Sequence, residues 1–358
     1  MVDNLLPVMR PLLPTAASLA PYLARIDDAR VYTNWGPLSE ALRGRLGEHF
    51  GVGPEQVALL ANGTLALQGA IETMGDPMSV VGIPSWTFIA TGLAVDGARR
   101  AVHLVDVDPG TWARVAEPRT RFDGDIVVAP FGDRPDVEAW AASPTPVIFD
   151  AASCFDACEG IGPALGARCA LMVSLHATKP LAAGEGGALV GPEDWIAEIV
   201  RWANFGIAED RVVRRAATNA KLSEYHAAVG LTALDQWERT RSQWQEVNAW
   251  AVEVADGLGM GVQPALRKGF VTTTWVAEFA DDATKPRVLQ HLADAGIDSR
   301  DWWSAGVGAT PYFATAPRDD LSVTERLARR TLGLPMARDM TRDAFGRVAD
   351  ALNGVCAG

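Results

Sequence analysis

Cysteine is scarce in this chain, with four residues (Cys154, Cys158, Cys169 and Cys356) in 358. That is too few for a disulfide framework at this length. Cys154 and Cys158 stand four apart without a matching Cys/His pair downstream, so reduced thiols are expected rather than a zinc site. Positive charge is short as well: 32 Lys and Arg face 44 Asp and Glu, a net charge of −12. The imbalance argues against nucleic acid as a bulk partner. An anionic small ligand stays compatible if its pocket is locally basic. No stretch approaches the roughly 20 apolar residues of a membrane span. Pro7, Pro11, Pro14 and Pro21 interrupt the apolar N-terminus, so no signal peptide is expected and a cytoplasmic location is. The Gly-x-x-x-x-Gly-Lys-Ser/Thr phosphate loop is missing. Gly160-x-Gly162-x-x-x-Gly166 has the wrong spacing and offset for a dinucleotide loop.

What is present reads as a globular α/β chain. Hydrophobic residues make up 48% and charged residues 21%, enough for a sizeable core. The length suggests about two domains: a large one over 1–245, including an N-terminal arm, and a smaller C-terminal α+β domain over 246–358. Strands are predicted near Gln56–Leu60, Ser79–Ile83, Ala101–Val105, Asp125–Pro130, Pro146–Phe149, Cys169–Val173 and Ala188–Val190. Helical patterns separate most of them. That alternation predicts a mostly parallel sheet covered on both faces. In such sheets ligands collect at the carboxyl ends of the strands. Asn62-Gly63-Thr64, Ser85-Trp86, Asp150 and Ser174 each follow a predicted strand directly, so they are expected to converge on one edge. Leu222 to about Trp244 reads as one long helical stretch. Val271–Glu278 reads as a strand of the smaller domain and Ser299–Phe313 as a loop.

The stretch 171–190 carries the most chemistry. An apolar run breaks at Ser174, presents Lys179, and passes through Gly184-Glu185-Gly186-Gly187 into a second apolar run. Lysine usually stays solvated, so one placed between two buried strands invites a functional reading. We read Lys179 as a Schiff-base lysine for pyridoxal phosphate, because partial burial favours the neutral, nucleophilic amine. Asp150, at a strand's carboxyl end, can hold a pyridine nitrogen protonated. Gly63 and Thr64 open a helix, whose backbone amides with a hydroxyl make a phosphate cup. Ser174 can add a second hydroxyl, and Trp86 a stacking face. His176 can contact substrate or shuttle a proton. Each has an ordinary alternative: helix capping for Asp150, Gly63, Thr64 and Ser174, core packing for Trp86, and a satisfied structural histidine for His176. The ordered set is what makes the functional reading specific.

These residues resemble the DegT/DnrJ/EryC1/StrS family of sugar aminotransferases, over roughly Tyr32 to Leu352. Asn62-Gly63-Thr64-Leu65-Ala66-Leu67 is similar to its phosphate element. Pro84-Ser85-Trp86-Thr87-Phe88 is similar to the segment whose first aromatic stacks on the cofactor. Asp150-Ala151-Ala152 matches its pyridine-nitrogen aspartate. Ser174-Leu175-His176-Ala177-Thr178-Lys179, continuing to Gly184-Glu185-Gly186-Gly187, is similar to its lysine signature, and Leu334-Pro335 to a late turn. The segment from Asn219 resembles one whose asparagine reaches the cofactor phosphate of a neighbouring subunit.

The resemblance implies a fold-type I enzyme dependent on pyridoxal phosphate, mostly homodimeric in this family. It implies L-glutamate as amino donor and a nucleotide-linked keto-sugar as acceptor. Lys179 stands where dehydratase members carry histidine, which favours amino transfer. Three departures stand out. Ser153 replaces a glutamine expected to touch the cofactor's 3-hydroxyl, Lys221 replaces an arginine, and Gly308 occupies the place of an expected histidine. Trp302 and Trp303 resemble a subgroup acting on dTDP-4-keto-6-deoxyglucose. Substrate contacts are expected from Asn34, Arg214, Arg215, Lys221 and Trp303, with the basic residues meeting the nucleotide diphosphate. Two other readings stay open here: a non-catalytic pyridoxal-phosphate-binding protein on the same scaffold, and an NAD-dependent oxidoreductase, which lacks its glycine fingerprint.

Overall fold

The computed structural model describes residues 5–74, 80–116, 121–207 and 210–356. The expected strand start at Ser79, residues 208–209 and the side chain of Cys356 lie outside the described set. Seven strands form the main sheet: β1 (Val57–Leu60), β2 (Val80–Pro84), β3 (Ala101–Val105), β4 (Gly124–Val128), β5 (Val147–Asp150), β6 (Cys169–Ser174) and β7 (Gly187–Val190). Their order across the sheet is β1-β7-β6-β5-β4-β2-β3. Neighbours from β6 to β3 run parallel, and β7 is antiparallel to both β6 and β1.

The two-residue period of the strands sorts their side chains into two cores. Val57, Leu59, Phe149, Leu171 and Val173 face helices Pro37–Phe50 and Glu224–Asp235, meeting Leu42, Leu46 and Leu231. Ala58, Leu60, Ile83, Ile148 and Met172 face helices Gly63–Thr73, Ile89–Gly97 and Glu193–Ala203, meeting Leu67, Val95 and Ile196. Burial on both faces explains why these strands read as continuous apolar runs.

The second sheet has the order β10-β9-β8, where β8 is Gly261–Val262, β9 Trp275–Glu278 and β10 Thr331–Leu334. It packs with helices Thr284–Asp294 and Arg342–Cys356 around Trp275, Leu292, Leu332 and Phe345. The structure differs from the sequence expectation in several places: the expected strand Val271–Glu278 forms only from Trp275, and β8 and β10 were not predicted. The helical stretch after Leu222 breaks at Gln236, so Glu224–Asp235 and Trp237–Gly257 are separate helices. The second of these runs straight through the expected boundary at 245/246. Its Trp237 belongs to the first core and its Val247, Ala251 and Ala255 to the C-terminal one. The N-terminal arm docks on the C-terminal unit, with bridges Leu6–Ile297 and Met9–Met336 and a 2.7 Å Arg10–Asp339 ion pair. Among the described residues no helix is long and apolar enough to cross a membrane.

Candidate active site

The loop between β6 and β7 presents Lys179. Its base is laced by backbone bonds from Leu175 to Gly186 (2.9 Å) and from Ala177 to Gly184 (2.9 Å), and the amide of Lys179 closes a turn on His176 (2.9 Å). Gly184 sits at φ +85, in the left-handed region that favours glycine. Gly187 is needed for another reason: a Cβ there would stand 2.6 Å from the Asn62 carbonyl oxygen and 2.9 Å from the Gly63 nitrogen. The glycines thus let the lysine loop lie directly against the start of helix Gly63–Thr73. Asn62 caps that helix, accepting the Leu65 amide at 2.9 Å.

A cavity of about 440 Å³ opens at the carboxyl ends of the parallel strands. Gly63, Thr64, Asp150, Ser153, Ser174, His176, Lys179 and Trp303 all line it, so eight of the residues singled out from sequence converge there. Lys179 Nζ donates to Ser153 Oγ at 2.9 Å. Burial pushes the lysine below its usual value of 10.5, against the opposing pull of Asp150. Asp150 is buried, and burial raises its carboxyl above the usual 3.8; the Thr91 hydroxyl and the charge of Lys179 work the other way. Thr91 donates to Asp150 Oδ2 at 2.8 Å and lies 2.8 Å from the Thr87 hydroxyl. Thr91 has a single proton, so Thr87 donates to it and a two-hydroxyl chain ends on the carboxylate. His176 Nδ1 contacts Thr178 Oγ1 at 2.9 Å, and its Nε2 lies 3.7 Å from Glu185.

Trp86 requires a correction. It is 2% exposed and packs edge-on against Trp303, with centroids 5.3 Å apart, in a cluster with Trp112, Phe131 and Leu327. It does not line the cavity; Phe88, 55% exposed, does. The cause is local. Residues 85–87 are a bend and the helix begins only at Ile89, so the chain turns Trp86 inward before Phe88 emerges.

Asn34, Arg214, Arg215, Asn219 and Lys221 also stand outside this cavity's wall. Arg214 pairs with Asp210 and Arg215 with Glu198. Lys221 donates to Asn204 at 2.9 Å and lies over the ring of Phe205. Asn219 forms a backbone bridge to Asn204, and Asn34 is exposed at φ +64. Sequence reasoning missed Thr87, Phe88, Thr91 and Arg300. The two threonines stand four apart just after a strand, Thr87 in the bend and Thr91 in the first turn of the helix. Arg300 lies three residues before Trp303, on the loop already expected to meet substrate, but was not singled out.

Gly308 is buried between elements. A Cβ there would meet Leu104 at 2.9 Å and Arg318 at 3.2 Å, so a side chain in the place of the expected histidine would have to displace both. Cys154, Cys158 and Cys169 are buried free thiols. Among the described residues no cluster of His, Cys, Asp and Glu is arranged to hold a metal ion.

The cavity fits pyridoxal phosphate by its donor set: a buried carboxylate with one hydroxyl donor, a lysine with a depressed pKa, and a helix start, Gly63-Thr64, in the cavity wall. Known proteins agree. A dTDP-4-amino-4,6-dideoxy-D-glucose transaminase of Shigella dysenteriae is 32% identical, over 97% of this chain and 98% of that protein. Protein Rv3402c of Mycobacterium tuberculosis (strain ATCC 25618 / H37Rv) is 32% identical, over 97% of this chain and 89% of that protein. Among solved structures, DesI in the presence of its TDP-sugar product superposes with a TM-score of 0.86 at 30% identity, covering 98% of this chain and 93% of that one. Residues 16–353 match the model of one family, and the chain belongs to it: the DegT/DnrJ/EryC1/StrS aminotransferase family, of fold-type I and dependent on pyridoxal phosphate.

Proposed function

We propose that this chain moves an amino group from an α-amino acid, with L-glutamate as donor, to the keto carbon of a nucleotide-linked sugar of the dTDP-4-keto-6-deoxyhexose class. One observation carries the proposal. A lysine whose burial favours the neutral amine shares a single cavity with a buried carboxylate and a capped helix start. The names of the Shigella relative and of the DesI complex support the sugar class.

Bound pyridoxal phosphate supplies the electron sink that lets a proton leave the donor's Cα. The chain's own residues do the rest. Lys179 would hold the cofactor through its amine and, when that amine is free, would move the proton at the donor's Cα. Asp150 keeps the ring nitrogen protonated by charge pairing, and the Thr87–Thr91 hydroxyls hold that carboxylate ionised. Gly63, Thr64 and Ser174 receive the phosphate. Phe88 takes the stacking role first given to Trp86. Ser153 stands beside Lys179 where a longer glutamine was expected, and Trp303 walls the acceptor side. His176, with Glu185 3.7 Å away, serves as a proton-handling neighbour of the lysine.

We further propose a homodimer in which Asn219 reaches the partner's cofactor phosphate, while Asn34, Arg214, Arg215 and Lys221 face the partner's substrate. Two features support this. None of the five lines its own chain's cavity. The segment also lies beside exposed aromatics Tyr32, Phe205 and Tyr225, and grouped exposed aromatics mark interaction surfaces.

The purified protein is expected to be yellow, to bleach with L-glutamate, and to regain colour with dTDP-4-keto-6-deoxyglucose while forming an amino sugar detectable by mass spectrometry. Failure to take up added pyridoxal phosphate, or loaded protein that no amino donor bleaches, would overturn the proposal.

A further inference from the structure

The two reactants of the proposed reaction are both anionic, yet the protein carries a net charge of −12. The question is which cation in the cavity meets the donor's carboxylate. Lys179 is committed to the cofactor, and His176 already faces Glu185. Arg338 lines a small recess that adjoins this cavity and shares Lys179 with it, but its guanidinium is already bonded to Thr240 Oγ1 and the Leu12 carbonyl. Arg300 remains. It lines the same cavity as Lys179, Asp150 and Ser153.

Its setting is built. Arg300 and Gly333 exchange both backbone hydrogen bonds, at 3.0 and 2.8 Å, which fixes the base of the side chain to β10. Gly333 has no Cβ, and one placed there would stand 2.1 Å from Trp302 Nε1. The indole therefore lies flush against that backbone and offers its ring to the guanidinium, which sits 5.1 Å from the centroid. A guanidinium laid on an aromatic face keeps its in-plane donors free for a planar anion. The neighbouring acid does not neutralise it, since Asp301 is paired with Lys285 at 2.7 Å. Among the described residues Arg300 makes no ion pair with a protein carboxylate. An exposed, positioned and uncompensated arginine in a wall that also holds the reacting lysine is a ready carboxylate receptor.

We propose that Arg300, seated on Trp302, binds the carboxylate of the amino donor. The inference rests on the amino-transfer reading given above. Connectivity favours the donor over the diphosphate of the acceptor. The donor's α-carboxylate is bonded directly to the carbon that loses its proton, so it must lie near Lys179. The diphosphate is separated from the reacting ketone by the sugar ring.

The test uses the full-length holoenzyme and the variants Arg300→Gln and Arg300→Lys. Among the described residues the arginine makes no ion pair, and any residue but proline can keep the backbone pairing with Gly333, so both variants are expected to fold and to stay yellow. For Arg300→Gln, the L-glutamate concentration giving half-maximal bleaching rate rises roughly ten- to a hundredfold, and Arg300→Lys falls between. Glutarate, an inert dicarboxylate, loses calorimetric affinity for the yellow form by a similar factor. The pyridoxamine-phosphate form of Arg300→Gln reacts with dTDP-4-keto-6-deoxyglucose at the wild-type rate. Unchanged glutamate saturation overturns the inference, as does a loss confined to the sugar half-reaction. A wild type that no amino acid bleaches would instead refute the amino-transfer reading. Glutarate binding would then still decide whether Arg300 receives carboxylates.

Discussion

Replacing Thr91 by valine removes one hydroxyl and nothing else of size. The side chain is fully buried, so the isosteric methyl finds the same space. Two hydrogen bonds disappear: the 2.8 Å bond into Asp150 Oδ2 and the 2.8 Å contact with Thr87. The remaining donor to that carboxylate is the Ala152 amide, at a longer 3.3 Å. A hydrogen bond to a charged group is worth about 1.5–3 kcal/mol, and the loss falls on the ionised form of Asp150, which burial already disfavours. The proton then shifts from the cofactor nitrogen toward the carboxyl, and the electron sink weakens. If the whole difference is felt at the barrier, donor-driven bleaching slows by roughly ten- to a hundredfold. Stopped-flow absorbance of the wild type, Thr91→Val and Thr91→Ser reads this directly. Serine keeps the hydroxyl and should recover most of the rate. A Thr91→Val protein within about twofold of wild type, or a Thr91→Ser protein as slow as the valine variant, would refute the role of the hydroxyl chain.

The same group sets a pH dependence of stability in the cofactor-free protein. The folded-state pKa of Asp150 lies above its unfolded value, so its favourable contribution is full at acid pH and is lost as pH rises through the raised value. Thr91→Val should steepen that loss, seen as a larger drop in urea midpoint between acid and neutral pH.

Three more perturbations separate the assignments. Capture of pyridoxal phosphate by the cofactor-free protein needs neutral Lys179, so its rate should rise with pH and level off below the usual lysine value of 10.5; a plateau only above 10.5 would contradict the depressed pKa. Phe88→Ala should weaken cofactor retention with little change in unfolding midpoint, whereas Trp86→Ala should cost about 3–5 kcal/mol of stability as a buried deletion; the reverse pattern would restore Trp86 as the stacking residue. Gly308→His should destabilise by about 1–3 kcal/mol through overpacking against Leu104 and Arg318, without gain in sugar turnover, as read by thermal unfolding and product yield.

Most of the large sheet was legible because both its faces are buried. Strands such as Val147–Asp150 and Cys169–Ser174 bury every residue, and nothing polar interrupts the run. Ligand residues at strand ends inherit that legibility, since Asp150 and Ser174 are the last residues of β5 and β6. Three features were not. The break at Gln236 carries no glycine or proline, and the apolar pattern continues across it into Trp237. β10, Thr331–Leu334, includes Gly333 and follows a helix without a turn signal; it is stabilised by pairing with β9, a tertiary effect. Arg300 reaches the cavity only because the C-terminal sheet docks there. Segment 271–274 makes that docking, with Thr272 donating to the Phe131 carbonyl at 2.7 Å and Thr273 to the Thr178 carbonyl at 2.8 Å. The Trp86 error shows the finer limit. Two aromatics two residues apart at a strand-to-helix junction differ in fate by where the helix begins, and that start is set by packing.

Lys179 is the residue proposed to hold the cofactor. Borohydride reduction of the yellow protein, followed by proteolysis and peptide mass spectrometry, measures this directly. A pyridoxyl group is expected on Lys179 and none on Lys221 or Lys268. A pyridoxyl group on another lysine, or an unmodified Lys179 in protein that has retained its colour, would contradict it.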